Sequence, residues 1–207
     1  METKALIYKT QDYQESSRLL YTYTPFGKYT LVAKGAKRYK SAYRSYDYLT
    51  LIELDLNIEK PIQTLQKSSI SNYYESIKAN YQHISYTSTI LKSLDLITDD
   101  LPHERLFKLI TWLLTFEDLE LACITLYIKL TYALGYELTF HKAFEGFDLY
   151  KGITTPISKT LNKEETTYLK ELYFLKDEIH LNNDVKGVLK QFIKNYYIYH
   201  MDYDIKF

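Results

Sequence analysis

A chain of 207 residues, 46% apolar, is long enough to bury a core, and nowhere does it hold the run of about eighteen apolar residues that a membrane-spanning helix needs. Its formal net charge of zero excludes a generally cationic coat for nucleic acid, yet residues 1–80 hold 12 Lys/Arg against 8 Asp/Glu while residues 81–207 hold 14 against 18. The single cysteine, Cys123, excludes an internal disulfide and any multi-cysteine zinc site, and an N-terminus without an uninterrupted apolar segment makes the cytoplasm the expected compartment, with no membrane partner.

The first seventy residues read as strands. Ala5 to Lys9 comes first, then Arg18 to Thr24, separated from Lys28 to Ala33 by Pro25-Phe26-Gly27. Proline presets φ there and glycine accepts a positive φ, so a hairpin is expected. From Tyr46 to Glu59 period two dominates, with Tyr46, Tyr48, Ile52, Leu54, Leu56 and Ile58 on one face, and Ile62 to Ile70 supplies another strand. About five strands in this length is the number in an OB-fold barrel, although other small β barrels fit as well.

The period turns helical at Asn72, which gives a domain of residues 1–71 followed by a helical domain of residues 72–207. Asn72 with Glu75 has capping-box spacing, and Pro102 suits a first helical turn ahead of Leu106, Leu109, Ile110, Leu113 and Leu114. A third helix is expected from about Leu119 to Leu134, capped by Gly135, with Cys123 in its core stripe. Residues 136–159 lose periodicity and read as an irregular connection. Asn162 with Glu165 starts the next helix, and a last one carries Val185, Val188, Leu189, Phe192, Ile193 and Tyr196. The fold class expected is therefore α+β, an N-terminal OB-fold β barrel followed by a helical domain.

Chemistry concentrates in one place. From Lys28 to Arg44 the chain carries Lys28, Lys34, Lys37, Arg38, Lys40 and Arg44 and no acidic residue. Gly35 and Ala36 leave room for a nucleic-acid backbone, the cations suit phosphates, and Tyr39 and Tyr43 could stack on bases. A solvated basic loop with its tyrosines packed on the barrel is an equally good account of the same residues. The 23 tyrosines are spread over the whole chain, so their number does not itself mark a base-stacking protein. The five histidines, His83, His103, His141, His180 and His200, have no metal-ligand spacing, and no phosphate-binding glycine loop or nucleophile elbow is present. The acidic pairs Asp99-Asp100, Glu117-Asp118 and Glu164-Glu165 fall where helices begin, which suits the helix dipole better than acid–base chemistry.

The run Asp12-Tyr13-Gln14-Glu15-Ser16-Ser17-Arg18-Leu19, continued by Gly27-Lys28, by Val32-Ala33-Lys34-Gly35-Ala36-Lys37-Arg38 and by Lys40-Ser41, resembles the N-terminal signature of the RecO family. Leu134-Gly135-Tyr136 is similar to the LGY element that closes a central helix in that family, and the helix through Tyr197-Ile198-Tyr199-His200 falls where the family has its closing helix. The resemblance implies an OB fold with a helical domain, a cytoplasmic, nucleoid-associated protein, and binding to single- and double-stranded DNA without a cofactor. It also implies annealing of complementary strands and partnership with RecR and single-stranded-DNA-binding protein. DNA would meet Arg18, Lys28, Lys34, Lys37, Arg38, Tyr39, Lys40, Tyr43 and Arg44. Many members carry four cysteines for zinc after the LGY element, whereas Glu137 to Phe144 holds none, so Phe140, Phe144, Phe147 and Tyr150 are expected to pack in place of metal. The expected role is that of a non-enzymatic recombination mediator. An OB-type RNA binder and a protein-interaction scaffold are the alternatives.

Overall fold

In a computed structural model that describes residues 1–98, 101 and 103–207, nine strands and six α-helices are assigned among the described residues. Asp99, Asp100 and Pro102, which the sequence assigns to a helix start, lie outside the described residues. The chain divides into two units, Met1–Asn80 with the described residues of Pro102–Thr111, and the described residues of Tyr81–Leu101 with Trp112–Phe207. No helix among the described residues is long and apolar enough to cross a membrane.

The first unit is built on β1 (Glu2–Tyr13), β2 (Ser17–Thr24), β3 (Gly27–Ala33), β4 (Thr50–Asp55), β5 (Ile62–Thr64) and β6 (Ser68–Asn72), in the order β5-β3-β2-β1-β4-β6. Every pairing is antiparallel except that of β5 with β3. This is the order of an OB fold whose fifth strand is broken in two, one half on β3 and the other on β4. At the break Leu65 turns inward, is buried and gives its N–H to the Val32 carbonyl at 3.0 Å, so the sheet has OB-type order without a ladder closed into a barrel. The hairpin at Pro25-Phe26 forms as its residues dictate: the Thr24 hydroxyl accepts from Phe26 N–H at 3.0 Å and donates to the Gly27 carbonyl at 2.9 Å.

Inward positions at period two supply the core: Ala5, Ile7, Leu20, Tyr29, Leu31, Ala33, Ile52, Leu54 and Leu56, joined by Ala36 and Tyr46 from the loop before β4. That loop corrects the long strand expected from Tyr46 to Glu59. Leu49 has φ +54°, which interrupts the extended run, so β4 begins only at Thr50 and ends at Asp55, and Ile58 faces solvent. The capping box at Asn72 and Glu75 does not form either. Asn72 accepts from Tyr74 N–H at 2.7 Å, and α1 (Glu75–Lys78) starts from a left-handed Tyr74 without a side-chain cap.

The second unit holds α2 (Tyr81–Lys92), α4 (Leu119–Ala133), α5 (Lys163–Tyr173) and α6 (Asn183–Met201), while α3 (His103–Leu113) precedes α4 in the chain. Helix starts follow local chemistry. Asp118 accepts from Leu121 N–H at 3.0 Å, Asn182 from Val185 N–H at 2.9 Å, and Asn162 and Glu165 close a reciprocal capping box. Helix α4 is apolar on all sides and buried nearly throughout, Cys123 included, and burial pushes that thiol well above its ordinary pKa. At its end the LGY element is a Schellman cap: Gly135, at φ +83°, gives its N–H to Tyr132, and Tyr136 gives its N–H to Thr131. The aperiodic stretch 136–159 contains β7 (Gly146–Asp148) and β8 (Ile153–Thr155), which with β9 (Leu161–Asn162) make a three-stranded sheet in the order β8-β7-β9. Strands of two or three residues are too short to show a period.

Candidate nucleic-acid interface

The basic segment leaves β3 at Ala33 and returns to β4 at Thr50 as a chain of tight turns. Successive backbone bonds link Ala36 to Ala33, Arg38 to Gly35, Ser41 to Arg38, Arg44 to Ser41 and Tyr46 to Tyr43. Two kinds of anchor hold it. Ala36 and Tyr46 are buried in the core, and Lys37 N–H donates to the Ser16 carbonyl at 2.9 Å, tying the loop to the β1–β2 turn. At the other side the Tyr43 hydroxyl donates to the Gln66 carbonyl at 2.5 Å, and Tyr46 shares a hydrogen bond with Ser68 at 3.1 Å. The loop is thereby fixed across the end of the sheet where β1 ends and β2 begins.

On this frame Lys34, Lys37, Arg38, Lys40 and Arg44 are exposed. Tyr39 is 83% exposed, with the Arg44 guanidinium 5.1 Å from its ring centre and donating to the Tyr39 carbonyl at 3.3 Å. An arginine laid on one face of a tyrosine leaves the other face open to a base. Tyr43, expected to stack as well, is instead half-buried, its ring 5.5 Å from that of Tyr46 and packed against the core. It holds the loop down through this packing and through its hydroxyl's bond to the Gln66 carbonyl. Arg18 is half-buried at the root of the loop, where it donates to the Tyr46 carbonyl at 3.3 Å and lies 3.9 Å from both Asp12 and Asp47. Lys28 pairs with Tyr23 next to the β2–β3 turn, at the opposite end of β3 from the loop, roughly 17 Å away at about 3.3 Å per residue. The structure thus gathers eight of the nine expected residues at one end of the sheet and sets Lys28 apart.

Two features have no signal in the local sequence. Lys9 lies 5.1 Å from the ring centre of Tyr21, its partner across the β1–β2 ladder, and Tyr21 donates to Gln11 at 2.9 Å. This pairing depends on an irregularity in register between Ile7 and Lys9, which no local pattern announces. The second is acidic. Asp12 sits 3.0 Å from Lys37, and Asp47 accepts from Tyr48 N–H at 2.7 Å and from the Thr10 hydroxyl at 3.3 Å.

Residues 1–74 match a family model described as "Recombination protein O N terminal". The curated DNA repair protein RecO of Clostridium novyi (strain NT) is 31% identical over 151 residues, covering 68% of this chain and 58% of that protein. That of Clostridium perfringens (strain 13 / Type A) is 30% identical over 147 residues, covering 70% of this chain and 55% of the relative. The chain belongs to the RecO family. Its match therefore spans little more than half the length of these relatives.

The metal that the RecO resemblance implies finds no fit here. The segment Glu137–Phe144 has no cysteine, and no group of three His, Cys, Asp or Glu among the described residues is placed to hold a metal ion. Rings occupy that part of the chain. Phe140 lies 5.7 Å from Phe147, 5.4 Å from Tyr173 and 5.8 Å from Phe174, and Phe147, fully buried, meets Phe192 edge-on at 5.5 Å. Phe144 lies under the Lys170 ammonium at 5.8 Å, and Tyr150 packs on Tyr199 at 4.9 Å. One ion pair closes the tip of the small sheet. Asp148, buried, takes Lys159 at 2.8 Å and the N–H groups of Tyr150 and Lys151 at 3.1 and 3.4 Å, and the hydrogen bond from Lys159 above all holds its carboxyl below the usual range.

Proposed function

We propose that this chain is a non-enzymatic DNA-binding mediator of recombination and repair, which anneals complementary strands and helps to load the recombinase. The observation that carries this reading is the anchored loop from Lys34 to Arg44: five exposed cations and an open tyrosine face on a frame held by core residues at the end of an OB-type sheet. Preorganised cations can neutralise successive phosphates without first ordering the loop, and OB folds characteristically use sheet face and loops for this task. The names of the RecO relatives support DNA repair as the setting. RecR and single-stranded-DNA-binding protein are the protein partners of this proposal, and the acidic remainder of the chain, 14 Lys/Arg against 18 Asp/Glu, is the part that would recruit them.

The direct test is binding of labelled single-stranded and duplex DNA across a salt titration. Replacing Lys34 and Arg38 together by alanine should flatten the slope of log affinity against log salt by about 0.9 for each duplex phosphate that is no longer neutralised. Unchanged affinity and slope would move the interface elsewhere. The mediator role is tested separately by annealing of complementary strands coated with single-stranded-DNA-binding protein. Failure to accelerate annealing, with DNA binding intact, would reduce the protein to a simple DNA binder.

A further inference from the structure

The cations of the loop are not all equivalent, because two carboxylates stand among them. Asp47 belongs to the frame: it accepts from the Tyr48 backbone and the Thr10 hydroxyl in the turn that leads into β4. Asp12 differs. It lies at the end of β1, its side chain 64% exposed, and it faces two cations of the interface, Lys37 Nζ at 3.0 Å and Arg18 Nε at 3.9 Å. Arg18 is half-buried and tied to the Tyr46 carbonyl, whereas the Lys37 ammonium sits on a flexible, partly exposed stem. An ion pair this exposed is weak enough for a phosphate to displace.

We infer that Asp12 is a resident counter-ion of the nucleic-acid site: its carboxylate occupies on Lys37 the place that a backbone phosphate takes in the bound state. The inference rests on the proposed reading of the loop as a DNA interface. On binding, Lys37 exchanges one anion for another. The phosphate releases its condensed cation, but Asp12, left beside the DNA with Arg18 at 3.9 Å as its remaining cation, draws one from solution. Net ion release at this position is therefore small, and Asp12 both lowers affinity and blunts its salt dependence. Lys37 then contributes less to the salt slope than Arg38 does, although the two are adjacent.

The experiment is fluorescence anisotropy of the full chain on a labelled oligothymidine and on a duplex of equal length, over a series of salt concentrations. The proteins compared are the native chain, D12N, K37A, the double variant D12N/K37A, and D55N as a control for the charge change alone. Asp55 pairs with Glu2 at the other end of the β1–β4 ladder, ten residues along β1 from Asp12. D12N should bind roughly three- to tenfold more tightly at low salt, because repulsion is removed and a lysine is freed, with a duplex slope steeper by up to about 0.9. The share that comes from the freed lysine should vanish, so D12N/K37A should gain less over K37A than D12N gains over the native chain. A D12N affinity and slope equal to those of D55N, or an equal gain with and without Lys37, overturns the inference while leaving the interface standing. Absence of any DNA binding by the native chain overturns both. Thermal melting of each variant confirms that Asn, isosteric and at an exposed strand end, leaves the fold unchanged.

Discussion

Replacing Gly146 by alanine tests whether the small sheet in the second unit depends on close backbone packing. Gly146 opens β7, the central strand, and pairs with Thr155 on one side and Asn162 on the other. A Cβ built there would lie 2.4 Å from the Leu161 carbonyl oxygen and 2.7 Å from the Ser158 Cα. Both obstacles are backbone, so β9 must move away by the better part of an ångström. Overpacking of this kind costs about 1–3 kcal/mol. The displaced strand also ends in Asn162, whose side chain accepts from Glu165 N–H at 2.9 Å and whose N–H donates to the Glu165 carboxylate at 2.8 Å. Loosening that cap of α5 adds about 1 kcal/mol. The total expected is about 2–4 kcal/mol, or a fall in melting temperature of roughly 4–16 °C for a chain of this length. Gly187→Ala is the matched control: it lies within α6, a Cβ there meets nothing within 4 Å, and removing a helical glycine should stabilise by about 0.5–1 kcal/mol. Urea denaturation of the two variants checks both signs. A Gly146→Ala protein within about 0.5 kcal/mol of the native chain would show that the close approach carries no weight.

Acid should weaken the second unit. Asp148 is held low first by Lys159 and then by backbone N–H groups; Glu120 is pushed up by burial, but hydrogen bonds from Lys190 and Tyr86 and the charges of Lys190 and Lys186 outweigh this and leave it low. A carboxyl depressed in the folded state stabilises above its ordinary pKa, and this contribution disappears as pH falls from about 4 through the folded value. Melting curves of D148N/E120Q should therefore lose less between neutral and acid pH than native curves do, and parallel profiles would exclude these two groups. At the interface, Tyr39→Ala should weaken single-strand binding by about 1–3 kcal/mol while Tyr39→Phe largely preserves it, as anisotropy would show; equal losses would point to the hydroxyl. Elemental analysis of purified protein should find no stoichiometric zinc, and a chelator should leave the melting temperature unchanged. A bound metal would contradict the ring cluster around Phe140 and Phe147.

How much was legible follows from the range over which each residue acts. The Pro25-Phe26-Gly27 hairpin, the Asn162-to-Glu165 capping box and the glycine cap after α4 were readable because every partner lies within five residues. The RecO resemblance was readable for a similar reason, since its N-terminal elements lie close together in the chain. The Asn72-to-Glu75 box had equally good spacing and failed, since Tyr74 takes a left-handed conformation that turns the chain before the helix begins.

By itself the sequence determined that cations would gather between Lys34 and Arg44, that strands would give way to helices, and that no cysteine cluster could hold zinc. Only tertiary structure decided which of those cations face solvent, which tyrosine offers a ring and which is a strut, and that Asp12, twenty-five residues before Lys37, shares its charge. Composition and period record what each residue prefers next to its neighbours. An ion pair or a packed ring depends on strand register and loop closure, which the whole sheet must settle first.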